Sequence, residues 1–205
     1  MSVSKDLSLL DWRRQVHDLY ARVRAEPDPA RAHELWRAAR DQLFTTHQDS
    51  PLLPADRETF TGLPVADYDP GLRFEVALDR DVEPQRLEVP TGTDGVVPFE
   101  RIGVLHLPAL GDLDAWWLAS YGGGLFVPLK DATAGTGTYG GGRYVLDTVK
   151  GADLGGDVRA GRLVIDLNFA YNPSCAYDPA WACPLAPPGN TLAPPVRGGE
   201  LSMTG

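Results

Sequence analysis

The sequence predicts an α+β fold in which two N-terminal helices pack on a mainly antiparallel, curved β-sheet, either a sandwich or a partly closed barrel. Three observations lead there. Apolar residues recur with a helical period over the first part of the chain and with a period of two after "FTGLPVADYDPG". The 22 glycines and 18 prolines among 205 residues follow no repeat, and so mark many turns. Between those turns lie roughly seven short strand-like runs at hairpin spacing.

In chain order, the first helix is expected near Ser8, which with Asp11 has capping-box-like spacing, and its apolar face is Trp12, Val16, Leu19, Tyr20 and Val23. The second starts in "EPDPARAHELW", with Asp28 as N-cap and Pro29 at the first helical position, and buries Leu35, Trp36, Ala39 and Leu43. It stops before "DSPLLP", because Pro51 and Pro54 cannot continue a helix. In "LRFEVALD", Leu72, Phe74, Val76 and Leu78 alternate with Arg73, Glu75, Ala77 and Asp79, the pattern of a half-buried strand. Further strands are expected at Leu87–Val89, Arg101–Leu107, Ala115–Ser120, Leu125–Leu129, Arg143–Val149 and Arg162–Asn168. From Asn172 onward the prolines argue against regular structure, and "LSMTG" is expected to fray. The chain thus reads as one domain: a helical segment over 1–48, a β core over 60–170 and a proline-rich strap over 171–200.

The formal net charge is -9 and the 19 basic residues are dispersed, which disfavours nucleic acid, since phosphate binding needs clustered Lys and Arg. The stretch "MSVSKDLSLLDWRRQVHDLY" has no apolar core long enough for a secretory signal and no run approaches a membrane span, so a cytoplasmic protein without membrane contact is expected.

Three blocks read in order resemble a known family. They are "DSPL" followed by "FTGLP", then "LFVPLKDATAGTGTYGGGRY", then "LVIDLNFAYNPSCAYDPAWACPLAPPGNTLAPPVRGGE". Together they resemble the bacterial family catalogued as domain of unknown function 1684, over almost the whole chain from the second helix onward. Leu129, Leu167, Ala186 and Gly198 depart from its usual pattern, but none removes a polar group. The resemblance implies these boundaries and this choice of residues; it implies no reaction, and neither a cofactor nor an oligomeric state is legible.

Within the blocks, "KDATAGTGTYGGGRY" lacks the spacing and the strand-loop-helix context of a phosphate loop, and reads either as a glycine-built hairpin bonded by Asp131 and Thr133 or as one wall of a pocket. Asp166 and Asn168, on one face of a strand, would lie about 6 to 7 Å apart and either orient a substrate or face solvent. Cys175 and Cys183 are separated by seven residues, the wrong spacing for a zinc knuckle, and no metal site is expected. They read as structural, disulfide-capable anchors first and as a reactive thiol second, since no histidine lies nearby. "CPLAPPGNTLAPP" is a stiff strap, with Asn172 and Asn190 as turn-makers, and Glu200 is a structural carboxylate paired with an upstream arginine unless it reaches Arg143 or Asp166.

Two functions compete. In the leading one, Asp131, Thr133, Tyr139, Arg143, Asp166, Asn168 and Tyr177 line a pocket for a polar or anionic small molecule, in a protein that either binds it or is an enzyme of unknown reaction. In the other, the glycine and proline blocks are scaffolding for a non-catalytic interaction module, with Trp116, Trp117 and Trp181 exposed to a partner.

Overall fold

The computed structural model describes residues 4–90 and 95–203. Helix α1 (Lys5–Ala25) buries Leu19, Tyr20 and Val23, with Trp12 and Val16 half-buried on the same stripe. It begins a turn earlier than predicted. Ser4 stands at the cap position, and Ser8 lies inside the helix with its hydroxyl buried and unbonded, because Asp11 instead accepts from Gln15 at 2.7 Å. Helix α2 (Pro29–Thr46) begins where predicted: Asp28 accepts the N–H groups of Ala30 and Arg31 at 3.0 and 3.4 Å. The two helices are joined by the Trp36 indole, which donates to the Tyr20 hydroxyl at 3.1 Å. After a one-turn α3 (Pro54–Arg57), the Arg57 guanidinium bonds the carbonyls of His47, Gln48, Ser50 and Leu52 and so holds the "DSPLLP" bend.

Among the described residues seven antiparallel strands follow: β1 (Arg73–Asp79), β2 (Arg86–Pro90), β3 (Val96–Leu107), β4 (Gly111–Leu118), β5 (Leu125–Leu129), β6 (Arg143–Asp147) and β7 (Arg162–Asp166). The order across the sheet is β6-β5-β4-β3-β1-β7, with β2 beside the first half of β3. β1 keeps the predicted alternation, with Phe74, Val76 and Leu78 turned inward. β3 is longer than predicted, since Pro98 does not end it; its carbonyl accepts the N–H of Ala119 at 2.9 Å, and proline has no N–H to leave unpaired. β4 starts at Gly111 because a tight turn, with Ala109 at φ 65°, pairs "GDLD" with the end of β3. A bulge between Arg101 and Gly103 bends β3. The curl brings the two ends of the sheet together: Tyr144 of β6 and Tyr171 exchange both backbone hydrogen bonds, at 2.8 and 3.0 Å. The result is a half-barrel rather than a sandwich.

One face of this sheet shares the main core with the helices, through Leu105, Leu113, Val127, Val145, Ile165 and Trp36. The other face carries a smaller aromatic cluster of Phe99, Trp116, Phe126 and Tyr144. Beyond Asn172 the described residues follow an irregular path interrupted by the short 3₁₀ turns Ser174–Ala176 and Pro188–Asn190 and by isolated bridges at Thr191 and Glu200. Leu201 and Ser202 do not fray, because their N–H groups bond Pro64 and Gly137 at 2.7 and 3.0 Å; Thr204 and Gly205, like Met1–Val3 of the segment read for a signal, lie outside the described residues. Among the described residues, no helix is long and apolar enough to cross a membrane.

Asp28 satisfies two otherwise open N–H groups of α2, so Asp28→Ala should cost about 1 kcal/mol in urea unfolding, with an unchanged m-value.

Candidate functional site

The residues singled out in the sequence come together as four separate groups. The first is centred on Arg143. Its position at the start of β6 places the guanidinium inside the fold, only 1% exposed. Nη2 meets Asp131 Oδ2 at 2.9 Å and the Val196 carbonyl at 3.1 Å, and Nη1 bonds the carbonyls of Gly198 and Glu200. The other Asp131 oxygen accepts from the Thr133 hydroxyl at 2.7 Å, the Thr133 N–H at 2.8 Å and the Val196 N–H at 3.1 Å. Thr133 thus serves the glycine hairpin as read from the sequence, and the hairpin grips residues 196–200. Burial works to raise the Asp131 carboxyl, but these hydrogen bonds and Arg143 outweigh it and hold it below 3.8. In Arg143 itself burial lowers the pKa and Asp131 opposes that shift.

The same C-terminal segment carries the second group. Glu200 is fully buried; its Oε2 accepts from Arg40 of α2 at 2.8 Å and from the Asn172 N–H at 3.0 Å, and its Oε1 accepts from the Tyr177 hydroxyl. Burial raises this carboxyl above the ordinary glutamate value, and Arg40 pulls against it. Its carboxylate bonds neither Arg143 nor Asp166; only its backbone carbonyl meets Arg143, so the upstream arginine is Arg40. Asn172 also donates to the Leu201 carbonyl at 2.9 Å. The strand-like segment "FTGLP" joins in, through Leu201 N–H on Pro64 at 2.7 Å and Ala66 N–H on Gly199 at 3.0 Å. Gly199, at φ +76°, has to be glycine, since a Cβ there would lie 2.6 Å from the Ala170 carbonyl oxygen.

Asp166 and Asn168 form the third group, and here the predicted geometry is corrected. β7 ends at Asp166 and Leu167–Phe169 is a 3₁₀ turn, so the two side chains do not project side by side from a strand. Asp166 Oδ1 accepts both the N–H and the amide Nδ2 of Asn168, at 3.1 and 2.8 Å, which closes the turn. Asn168 then clasps the backbone of Asp69, accepting from its N–H at 2.9 Å and donating to its carbonyl at 2.8 Å. Burial raises the Asp166 carboxyl, against hydrogen bonds from Asn168. A recess of about 100 Å³ beside it is lined by Arg24, Glu26, Arg73 and Phe169 but not by Asp131 or Arg143. A second, larger recess of about 380 Å³ lies between α1 and α2, on Gln15, Asp18, Arg22 and Gln42, and none of the sequence candidates reaches it.

In the fourth group the Tyr139 hydroxyl donates to Cys175 Sγ at 3.6 Å; Cys175 and Cys183 are free thiols, each half-buried. The strap past Cys183 lies on the aromatic face of the sheet. Tyr144 donates to the Pro184 carbonyl at 2.6 Å, and Asn190, fully buried, accepts from the Trp116 indole at 2.8 Å while donating to the carbonyls of Asp114 and Pro128 at 2.8 and 2.9 Å. Asn190 is therefore a clamp on β4 and β5 as well as a turn residue. Trp116, expected on the surface, is 1% exposed because this clamp covers it; Trp117 and Trp181 are 43% and 48% exposed.

Sequence reading missed Arg40, which also lies 5.1 Å from the ring centres of Trp36, Phe44 and Tyr171. A lone arginine on the apolar side of a helical wheel was its one signal. Tyr68, 3.4 Å from Asp166, had none. Among the described residues, no group of three His, Cys, Asp or Glu side chains is placed to hold a metal.

The model of the family described as "protein of unknown function (DUF1684)" matches residues 58–201. The chain is also similar to the solution NMR structure of the uncharacterized protein from gene locus rrnAC0354 of Haloarcula marismortui, with 32% identity, a TM-score of 0.60 and coverage of 82% of this chain and 92% of that one. No curated protein matches.

Three outcomes follow from this geometry. Arg143→Met strands Asp131 without its cation and should lower stability by about 3–5 kcal/mol in chemical denaturation. Because the Asp131 pKa is depressed on folding, its contribution is full above 3.8 and is lost as pH falls through the folded value, so the stability gap between wild type and Asp131→Asn should narrow on acidification below 3.8. Asn190→Ala should cost about 1–3 kcal/mol for each buried partner left unpaired and shift the fluorescence of Trp116.

Proposed function

The chain belongs to the DUF1684 family, and from that premise we propose that it is a non-catalytic interaction module, whose contact surface is the turn between β4 and β5 and whose partner is a protein with an apolar recess and a basic rim. One observation carries this reading. The polar side chains that a small ligand would need are bonded inside the fold, whereas Tyr121, in that turn, is completely exposed and Trp117 beside it is 43% exposed.

A Cβ on Gly123 would come within 2.6 Å of the Trp117 ring, so the indole packs against the turn that follows it. A rigid aromatic side chain loses little entropy on docking, which is why such residues anchor interfaces. The whole chain has a net charge of -9, which suits a basic rim. The recess volumes agree: one falls below the usual 300 Å³ for ligand pockets, and the other contains none of the family-block residues.

The test is site-specific photo-crosslinking in the native host. A crosslinker at Tyr121 should capture one basic protein, reproducibly, that a crosslinker at the also largely exposed Val158 does not, and Trp117→Ala should abolish the capture while leaving Tm unchanged. Identical captures from both positions would refute the surface. A polar small molecule co-purifying at 1:1 in native mass spectrometry, and lost in Arg143→Lys or Asp166→Asn, would replace this reading with a pocket.

A further inference from the structure

The helical layer holds a recess whose polar side chains, unlike those of the family-like blocks, are not already bonded within the fold. We propose that this recess of about 380 Å³ between α1 and α2 binds a free α-amino acid with an apolar side chain, its ammonium group at Asp18 and its carboxylate at Arg22.

Helix register builds the site. Gln15, Asp18 and Arg22 follow one another at intervals of three and four residues, so their side chains leave α1 on one face, with Leu19 at the base. α2 crosses this face antiparallel to α1: Trp12 packs on Phe44 with ring centres 6.1 Å apart, and further along α1 the Tyr20 hydroxyl meets the Trp36 indole at 3.1 Å. That crossing sets Gln42 about level with Gln15, and Ala39 about level with Asp18. Leu19 and Leu43, 1% and 6% exposed, form an apolar floor. Ala39 carries nothing beyond its Cβ, which leaves the space between the helices open.

The charged groups are placed to be bridged by a ligand rather than by each other. Asp18 precedes Arg22 by one helical turn, an order in which such residues commonly pair on a helix surface. Among the described residues, no ion pair joins them, and no hydrogen bond engages the Asp18 carboxylate, the Arg22 guanidinium or the Gln42 side-chain amide. Gln15 donates its amide nitrogen to Asp11 at 2.7 Å, which leaves its side-chain oxygen open. An ammonium group has three N–H donors, and Asp18 with the side-chain oxygens of Gln15 and Gln42 supplies a matching set of acceptors. At the other end the planar guanidinium of Arg22 suits a carboxylate, which it can hold with two parallel hydrogen bonds. A ligand with one charge would leave Asp18 or Arg22 unpaired, whereas a zwitterion satisfies both and lays its side chain on the leucine floor. The volume falls in the ordinary range for small-ligand sites, above about 300 Å³. The family model begins at residue 58, so the site belongs to this chain's own helical layer and stands independently of the aromatic turn at Trp117 and Tyr121.

The experiment is calorimetric titration of the full chain with L-leucine, L-methionine and L-phenylalanine, alongside thermal unfolding. Expected are one site per chain and a Tm that rises with ligand concentration, because the ligand binds the folded form. For the tightest of the three, the N-acetyl derivative, which lacks the ammonium, and the amide, which lacks the carboxylate, should each bind about fivefold more weakly, the scale of an ion pair open to solvent. Asp18→Asn and Arg22→Gln should weaken binding by the same factor, and since both residues are exposed these variants test the site without disturbing the core. Ala39→Leu keeps both charges but fills the recess, and should abolish binding. No response to any of the three amino acids, equal binding of the parent and its blocked derivatives, or unaltered binding in Arg22→Gln would each overturn the proposal.

Discussion

The fold depends on one buried cation. Removing a guanidinium from water is costly, and the cost is met only when geometry and partners are nearly complete. Arg143 reaches that state through one carboxylate and three carbonyls, all drawn from the glycine hairpin and from residues 196–200. The C-terminal segment is therefore not an appendage. It is threaded between the hairpin, the "FTGLP" segment and α2, and Glu200 extends the network to Arg40, Asn172 and Tyr177. Because each buried partner would be stranded without the others, the network is all or none, and it closes the half-barrel where a sheet alone would leave its edges open.

The proline strap solves a second problem. A sheet curled over a helical layer has another apolar face, here Phe99, Trp116, Phe126 and Tyr144, and α1 and α2 pack on the opposite one. A polyproline-like segment is pre-ordered, so laying it on that face loses little chain entropy. It brings carbonyls but few N–H groups, and the sheet supplies donors to match: the Tyr144 hydroxyl for Pro184 and the Trp116 indole for Asn190. The aromatic residues of this face are thus the anchors of the strap as well as a small core.

Seen together, the family-like blocks are three sides of one interlocked assembly. That explains why so many polar side chains occur in them without converging on a common cavity. Asp131, Arg143 and Glu200 serve the C-terminal segment, Asp166 and Asn168 serve the turn at Asp69, and Asn190 serves the strap. What remains outside this account is the Tyr139–Cys175 contact, with Cys175 and Cys183 half-buried as free thiols, and the aromatic turn at Trp117 and Tyr121. These are the places where the molecule presents chemistry or surface that its own stability does not consume.

Sequence alone determined the element types, because period and punctuation are local. The helical stripe of α2, its Asp28 cap, the alternation in β1 and the proline stop after Thr46 each depend on residues a few positions apart. It also indicated that Glu200 pairs with an upstream arginine and that the cysteines sit in a strap. The tertiary structure decided what local rules cannot see. Which arginine meets Glu200 is set by α2 crossing the C-terminal segment at a separation of 160 residues. Trp116 and Trp117 are adjacent in sequence, yet one is sealed and the other open, because the strap covers only one face of β4. Asn168 leaves the strand, which ends at Asp166, because the Asp166 carboxylate takes the Asn168 N–H and closes a 3₁₀ turn, a competition between side chain and backbone that strand propensity does not contain.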